Sequence, residues 1–249
     1  MKKVLDLNNP INLPVLNHHE SNKKGNELLS SEEYLMNFLP LIGYSGTVPF
    51  ERVPLTFTHN LYLKRIVDIL FSIVIIVCLL SWLIPILAII IKLDSRGPVF
   101  FLQKRNKRNG KVFICIKLRT MIVNKDADIL QAEENDKRIT RFGKYLRKNH
   151  FDELPQLFNV LWGDISVIGP RPHMISDNLR YAECVDFYAL RLRVKPGITG
   201  LAQVMGYTGP VKKNDDMKNR IRMDNYYIRH WSLKLDTIIF FTTLIKFHH

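Results

Sequence analysis

Ile69-Leu70-Phe71-Ser72-Ile73-Val74-Ile75-Ile76-Val77-Cys78-Leu79-Leu80-Ser81-Trp82-Leu83-Ile84-Pro85-Ile86-Leu87-Ala88-Ile89-Ile90-Ile91 is a run of 23 residues without a charged side chain. As a helix rising about 1.5 Å per residue it is long enough to cross the ~30 Å hydrocarbon core of a bilayer. Its flanks and its middle argue against a plain crossing. Lys64 and Arg65 precede it while Lys92 and Arg96 follow it, and cations at both ends draw both ends to the cytoplasmic face. Ser81 and Pro85 fall in the middle, where a proline removes a backbone donor and its ring crowds the preceding turn. The expectation is a re-entrant helix-break-helix over residues 61–93, broken at Ser81 and Pro85, that enters and leaves one leaflet. A kinked single span is the alternative. Asp68 would stay at headgroup depth. The fold class that follows is α+β and mostly helical: the membrane hairpin, then a small cytosolic domain over residues 94–249.

Upstream, residues 1–60 read as a lead in which Asn, Pro, His and mixed charges interrupt any periodicity. Ser30-Ser31-Glu32-Glu33 has the form of a cap for a short helix through Leu35 and Phe38, ending before Pro40; no chemistry is assigned there. The first apolar run begins only near residue 66, so no signal peptide is expected. The lead holds slightly more acids than bases, so the formal charge of +13 belongs to the rest of the chain. A body this basic suits a polyanionic partner: nucleic acid, an anionic membrane surface or a phosphorylated ligand. Cys78, Cys115 and Cys184 are widely spaced. They form neither a disulfide framework nor a Cys-x-x-Cys zinc pattern, which fits a reducing, cytosol-facing body.

Downstream, Asp94-Ser95-Arg96-Gly97-Pro98 reads as a turn. Residues 99–103 and 112–118 are rich in β-branched and aromatic side chains and read as strands. Between them lies a basic stretch, 104–111, whose Asn109-Gly110 is a tight-turn signal. Periodicity predicts a polar helix over 126–137 and a basic one over 139–148, with Phe142, Tyr145 and Leu146 inward. A short strand over 165–168, a helix over 177–193, a loop over 195–200 and helices over 222–231 and 235–247 follow. The last apolar run is too short to span a bilayer and suits an interfacial or a core helix equally.

After the basic helix comes Asn149-His150-Phe151-Asp152-Glu153-Leu154-Pro155-Gln156-Leu157. Asp152 is a good N-cap and Pro155 is tolerated in a first turn. Asp152 and Glu153 are therefore expected at a helix N-terminus, where backbone donors and the dipole favour anions. Arg138, Arg141, Lys144, Arg147 and Lys148 lie just upstream. Acids beside cations at a helix start suit phosphate chemistry, although this stretch alone reads more simply as a capped helix with a solvated face. Arg171 stands between Pro170 and Pro172, which fix its backbone and present its guanidinium as a bidentate phosphate clamp. Residues 195–200 contain two glycines but match neither Gly-x-Gly-x-x-Gly nor the Walker pattern.

In this order the motifs resemble the bacterial sugar transferase family, the monotopic polyprenyl-phosphate phosphoglycosyl transferases. The resemblance covers roughly residues 62–246. It rests on Lys64-Arg65-x-x-Asp68, Asp94-Ser95-x-Gly97-Pro98-Val99-Phe100-Phe101-x-Gln103, Lys117-x-Arg119-Thr120-Met121, Arg147 with Asp152-Glu153-Leu154-Pro155-Gln156-Leu157, Gly163-Asp164, Gly169-Pro170-Arg171-Pro172, and Lys195-Pro196-Gly197-Ile198-Thr199-Gly200. It implies an enzyme of the bacterial inner (cytoplasmic) membrane, with its catalytic domain on the cytoplasmic face. Such an enzyme moves a sugar 1-phosphate from a UDP-sugar to polyprenyl (undecaprenyl) phosphate and releases UMP. The resemblance implies that Asp152 is the nucleophile of a covalent phosphosugar intermediate, and that Glu153 supports Mg²⁺ binding or the second half-reaction. Asp152 and Glu153 are both candidate metal carboxylates. Lys117, Arg119, Arg147 and Arg171 are expected to hold phosphates, with Gln103, Pro170 and Pro172 close to substrate. The chain departs from the family at the membrane break, where an adjacent Ser-Pro pair is common: here Trp82 follows Ser81. It also lacks the multi-span N-terminal region of larger members, so residues 1–60 inherit nothing.

Read without the resemblance, a carboxylate can attack phosphorus and split one displacement into two. Mg²⁺ suits one or two carboxylates plus substrate phosphates. Direct single displacement, with Asp152 only a base or metal ligand, is equally compatible with the sequence. The alternative from another class is a membrane-anchored basic binding module for nucleic acid or anionic lipid. Against a nucleic-acid partner, the basic residues are dispersed among prolines, acids and strands rather than forming a recognition helix or a stacking platform.

Overall fold

The computed structural model describes residues 53–123, 136–182, 185, 187–209 and 214–246. The short helix expected after Ser30 lies outside them, as does nearly all of the polar helix expected over 126–137.

The apolar run folds as one helix, α1 (Thr58–Asp94), long and apolar enough to cross a membrane and consistent with a membrane-anchoring helix. The expected break at Ser81 and Pro85 is not an interruption of the chain. The backbone stays right-handed helical through Ile75 and Ser81 and makes a five-residue π turn, Ile76–Leu80. Pro85 sits inside the helix. One proline deletes one ladder donor, and with Trp82, Leu83 and Ile84 separating it from Ser81 the ladder re-forms on both sides. The irregularities still cluster here: Ser81 Oγ donates to Val77 O at 2.7 Å and Trp82 Nε1 to Cys78 O at 2.9 Å, beside the π turn and the proline.

α1 buries one stripe, Lys64, Asp68, Ser72, Leu80, Leu87 and Ile91, and leaves Ile66, Leu70, Ile73, Val77, Ile86 and Ile89 exposed. Both of its ends are held by the same body. Near the start, Asp68 Oδ1 accepts from Ser166 Oγ at 2.9 Å and Val167 N at 3.0 Å. Lys64 Nζ lies 2.7 Å from Asp236 Oδ2. At the far end Asp94 Oδ2 accepts from Phe142 N at 3.1 Å, and Leu87 and Ile91 form a core with Leu118 and Leu146.

β1 (Phe100–Asn106) and β2 (Val112–Leu118) form the expected antiparallel hairpin. β1 runs three residues further than the sequence suggests. Arg105 and Asn106 leave the basic tip for the interior, where Arg105 donates to Gln103 Oε1 and Asn106 Nδ2 to Gly110 O. Asn109 and Gly110 take the positive φ values, 61° and 69°, that the tight turn requires. α2 (Arg141–Lys148) starts at Thr140, whose Oγ1 accepts from Gly143 N at 3.0 Å. Ile139 is excluded because it pairs with Met121. α3 (Gln156–Trp162) stops at Gly163, φ 87°. It docks on β2 through Asn159, which accepts from Ile116 N at 3.0 Å and donates to Ile114 O at 2.8 Å.

β3 (Ser166–Ile168) pairs in parallel with β4 (Gly197–Thr199), a strand where a loop was expected. The helix expected over 177–193 is two pieces, α4 (Ile175–Ala182) and a 3-10 segment, Tyr188–Arg193. Its periodicity is real: Tyr181, Val185 and Tyr188 bury together with Met217 and Ile221. Left-handed Phe187 redirects the backbone, and Arg191 then reaches Arg171 O and Asp224. α5 (Leu201–Val204), α6 (Asn214–Arg229) and α7 (Leu233–Lys246) complete the described chain. α6 begins earlier than the expected 222. α7 is both core and surface: Asp236 and Ile239 are buried, while Ile238, Phe241 and Leu244 are exposed. Val53 and Leu55 lie in the core with Tyr227, Trp231 and Ile239, so the body begins before the expected boundary at residue 60.

Candidate active site

Residues 149–155 do not start a helix at Asp152 as the sequence suggests. His150 is left-handed (φ 53°, ψ 19°), residues Phe151–Glu153 form one 3-10 turn, and α3 begins only at Gln156 with Pro155 in the capping position. The tighter turn sends Phe151 into the core of Leu118 and Leu146. It also turns both carboxylates inward, Asp152 8% and Glu153 7% exposed.

The two acids have different company. Glu153 Oε1 lies 2.7 Å from Lys117 Nζ, and Glu153 takes both arms of the Arg171 guanidinium, Oε2 at 3.0 Å from NH1. Burial pushes the Glu153 carboxyl up, but Arg171 and Lys117 together outweigh it and hold the group well below the usual carboxylate range. Asp152 makes no hydrogen bond or ion pair among the described residues. Burial, and then the charge of Glu153, push its carboxyl above the usual range, with Lys117, Arg147 and Arg171 pulling the other way. One acid is locked as a neutralised anion. The other is an uncommitted carboxylate beside it.

Arg171 owes its position to its backbone. Gly169 N donates to Thr199 O at 2.8 Å and Gly197 N to Pro170 O at 2.9 Å. Arg191 donates to Arg171 O, and Arg105 NH1 to Pro172 O at 3.2 Å. Arg191 is in turn 3.2 Å from Asp224, which burial pushes up to about 6. The Gly169–Pro172 segment is thus pinned residue by residue. β3 and β4 approach so closely that a Cβ on Gly197 would lie 2.1 Å from Gly169 N.

Residues 59–249 match the model of the bacterial sugar transferase family. The chain belongs to that family. It is 45% identical over 188 residues to a UDP-glucose:undecaprenyl-phosphate glucose-1-phosphate transferase of Klebsiella pneumoniae, covering 75% of this chain and 40% of that relative. A Caulobacter vibrioides protein of the same name is 42% identical over 73% of this chain and 68% of its own length. An Aeromonas hydrophila UDP-N-acetylgalactosamine-undecaprenyl-phosphate N-acetylgalactosaminephosphotransferase is 44% identical, over 74% of this chain and 43% of the relative. The chain spans 40%, 34% and 46% of three of the curated relatives it matches.

In this sugar transferase Lys117, Arg147 and Arg171 gather around the acid pair. Gln103 and Pro172 join the cluster through Arg105, which bonds both. Pro170 contributes its carbonyl to β4. Arg119 is not brought to the acids. Its guanidinium donates to Ser95 O at 2.6 Å, Arg96 O at 2.8 Å and Ile91 O at 3.4 Å, closing the C-terminus of α1. There it satisfies carbonyls that a helix end leaves without partners. Gly97 makes room: a Cβ there would lie 1.9 Å from Arg119 NH1. Ser81 and Pro85 lie in the second half of α1.

The sequence reading missed Arg105, Asn159, Arg191 and Asp224. Arg105 carried a usable signal, since it shares a strand face with Gln103. The Arg191–Asp224 pair spans elements distant in sequence and carried none. Among the described residues no three His, Cys, Asp or Glu side chains gather as a metal cage.

Proposed function

We propose that this sugar transferase moves a sugar 1-phosphate from a UDP-sugar to undecaprenyl phosphate by two displacements at Asp152. The observation that carries the reading is the division of labour between neighbours: Glu153 is spent on Lys117 and Arg171, while Asp152 is buried, held above the usual carboxylate range by burial and by Glu153, and makes no hydrogen bond among the described residues. In the first step an Asp152 oxygen attacks the phosphorus that bears the sugar. A P–O bond to Asp152 forms as the P–O bond to UMP breaks, and UMP leaves with the bridging oxygen. In the second step a phosphate oxygen of undecaprenyl phosphate attacks the same phosphorus, and Asp152 departs as a carboxylate. Approach of an anion to a diphosphate is repulsive, so Arg147 and the outward face of Arg171 must offset charge as it develops.

The donor set fits a magnesium ion through Asp152, whose oxygens are uncommitted. Glu153 as arranged carries cationic donors on both oxygens and is the poorer ligand. Mg²⁺, when bound, would supply Lewis-acid polarisation of the phosphates. The names of the relatives support a UDP-sugar donor and an undecaprenyl phosphate acceptor. The attachment of both ends of α1 to one body supports a helix that stays on the cytoplasmic face of the bacterial inner membrane, holding Asp152 near the lipid phosphates.

The test is exchange of labelled UMP into a UDP-sugar in the absence of lipid acceptor, together with mass spectrometry of the peptide containing Asp152. Exchange and a trapped phosphosugar adduct are expected, and Asp152→Asn abolishes both. Normal turnover in that variant sinks the reading. Turnover without exchange or adduct points to single displacement.

A further inference from the structure

A second basic centre lies at the other end of α3 from the acid pair, about 10 Å along a helix of this length. There the first turns of α1 and the hairpin tip enclose a cavity of about 320 Å³. Leu55, Leu61 and Val194 supply apolar walls, and Arg65, Arg108 and Lys195 face into it. The volume is at the lower end of ligand-pocket sizes.

The cations here are under-neutralised. Arg65 spends its donors on Val160 O and Leu161 O. Arg108 Nε is buried without an acceptor, and Lys195 makes no hydrogen bond or ion pair among the described residues. The acids close by are already engaged, Asp68 with Ser166 and Val167, and Asp164 with Lys107 at 2.6 Å. Burial first, then Arg65 and Arg108, pull the Lys195 ammonium below its ordinary range. Lys195 and Arg65 lie close together beside Gly163. A Cβ on Gly163 would lie 3.4 Å from Lys195 Nζ and 3.5 Å from Arg65 NH2. Gly163 thus leaves the two cations without a side chain between them.

We propose that this cavity holds the phosphate of an anionic phospholipid headgroup. Arg65, Arg108 and Lys195 line one cavity, and Leu55, Leu61 and Val194 give it an apolar wall. The cavity opens beside Tyr62 and the exposed apolar face of α1 that begins with Leu63 and Ile66. A phosphate carried on an amphiphile satisfies all three features, whereas a free phosphate leaves the apolar wall without a partner. The site is separate from Asp152 and does not rest on the transfer chemistry.

The experiment uses the full chain in nanodiscs containing phosphatidylglycerol and phosphatidylcholine, followed by gentle delipidation and native mass spectrometry. The wild type is expected to retain phosphatidylglycerol in preference to phosphatidylcholine. Arg108→Gln with Lys195→Gln removes two charge-assisted contacts, so retention falls about tenfold or more; Lys104→Gln, on the exposed hairpin, changes nothing. Equal retention by the double variant, or no preference between the lipids in the wild type, overturns the site. Displacement of phosphatidylglycerol by millimolar inorganic phosphate, with no dependence on acyl chain, assigns it to a soluble anion and overturns the lipid. The wild-type lipid preference decides the matter even if the double variant does not fold. Independently, failure of the wild type to float with vesicles of either lipid overturns the membrane setting and this site with it, while leaving UMP exchange as a separate result.

Discussion

Two adjacent carboxylates, Asp152 and Glu153, are driven in opposite directions, so the pH response of the site separates them. Asp152 sits above the ordinary carboxylate range because of burial and Glu153. Its ionised fraction, and with it kcat/KM, rises through that raised value. In Glu153→Gln the like charge is gone and Lys117 and Arg171 are released, so the acid limb of UMP exchange moves to lower pH even as the rate falls; an unmoved limb contradicts the assignment. Stability follows the complementary rule. Glu153, held low in the folded state, stabilises above its ordinary value and ceases to as pH falls. Asp224 is the reverse: pushed up to about 6 by burial despite Arg191 and Arg220, it favours the fold fully below its ordinary value of 3.8 and progressively less as pH rises through about 6. Urea titrations across that window are expected to show this slope in the wild type and its loss in Asp224→Asn. Asp152 and Arg171 were legible because each stands in a short local pattern. Asp224 was not, because what makes it unusual is its buried pairing with Arg191 on another element.

At the scale of elements, the crossing of β3 and β4 carries the most consequence. Gly169, Gly197 and Gly200 bring two backbones into contact, and a Cβ on Gly200 would lie 2.2 Å from Gly169 O. Gly197→Ala must move the segment that holds Arg171. A loss of about 1–3 kcal/mol is expected from overpacking against rigid backbone, read by thermal unfolding, with UMP exchange falling further than stability alone explains. The left-handed His150 gives a second test. His150→Gly is expected to be neutral or stabilising, whereas His150→Val costs about 1–2 kcal/mol, because a β-branched residue resists that conformation; equal unfolding midpoints would refute the strain. The hairpin was readable from Asn109-Gly110, since turn chemistry is local. The glycine crossing looked like two unrelated loops, because what it accommodates lies about thirty residues away. Asp152 was misplaced as a cap for a similar reason: Phe151 is drawn into a core built by Leu118 and Leu146, and tertiary packing overrode the local cap preference.

For the molecule as a whole, α1 sets the geometry. Its apolar face is exposed along its length, yet Asp68 and Asp94 both bond to the one body. A straight crossing would put these ends on opposite sides of a ~30 Å core. Cysteines placed at Asn60 and Ser95 are therefore expected to be protected alike from an impermeant maleimide outside intact cells. Labelling of either one from outside would overturn the one-sided arrangement. The anchoring helix was plain in the sequence from length and composition. Its continuity was not, because a proline reports a lost donor without saying whether the neighbouring turns will absorb it.

The ion pair between Lys64 and Asp236 joins residues 172 positions apart. α1 is synthesised well before α7, so its Lys64 lacks Asp236 until α7 is made. Tyr227 and Trp231, which also bond Asp236, wait for the same moment. Completion of the body is therefore coupled to the synthesis of α7: a chain that stops short of Asp236 carries its membrane helix with the clasp open and displays an unfinished core to proteases. Assembly of this body is timed by α7.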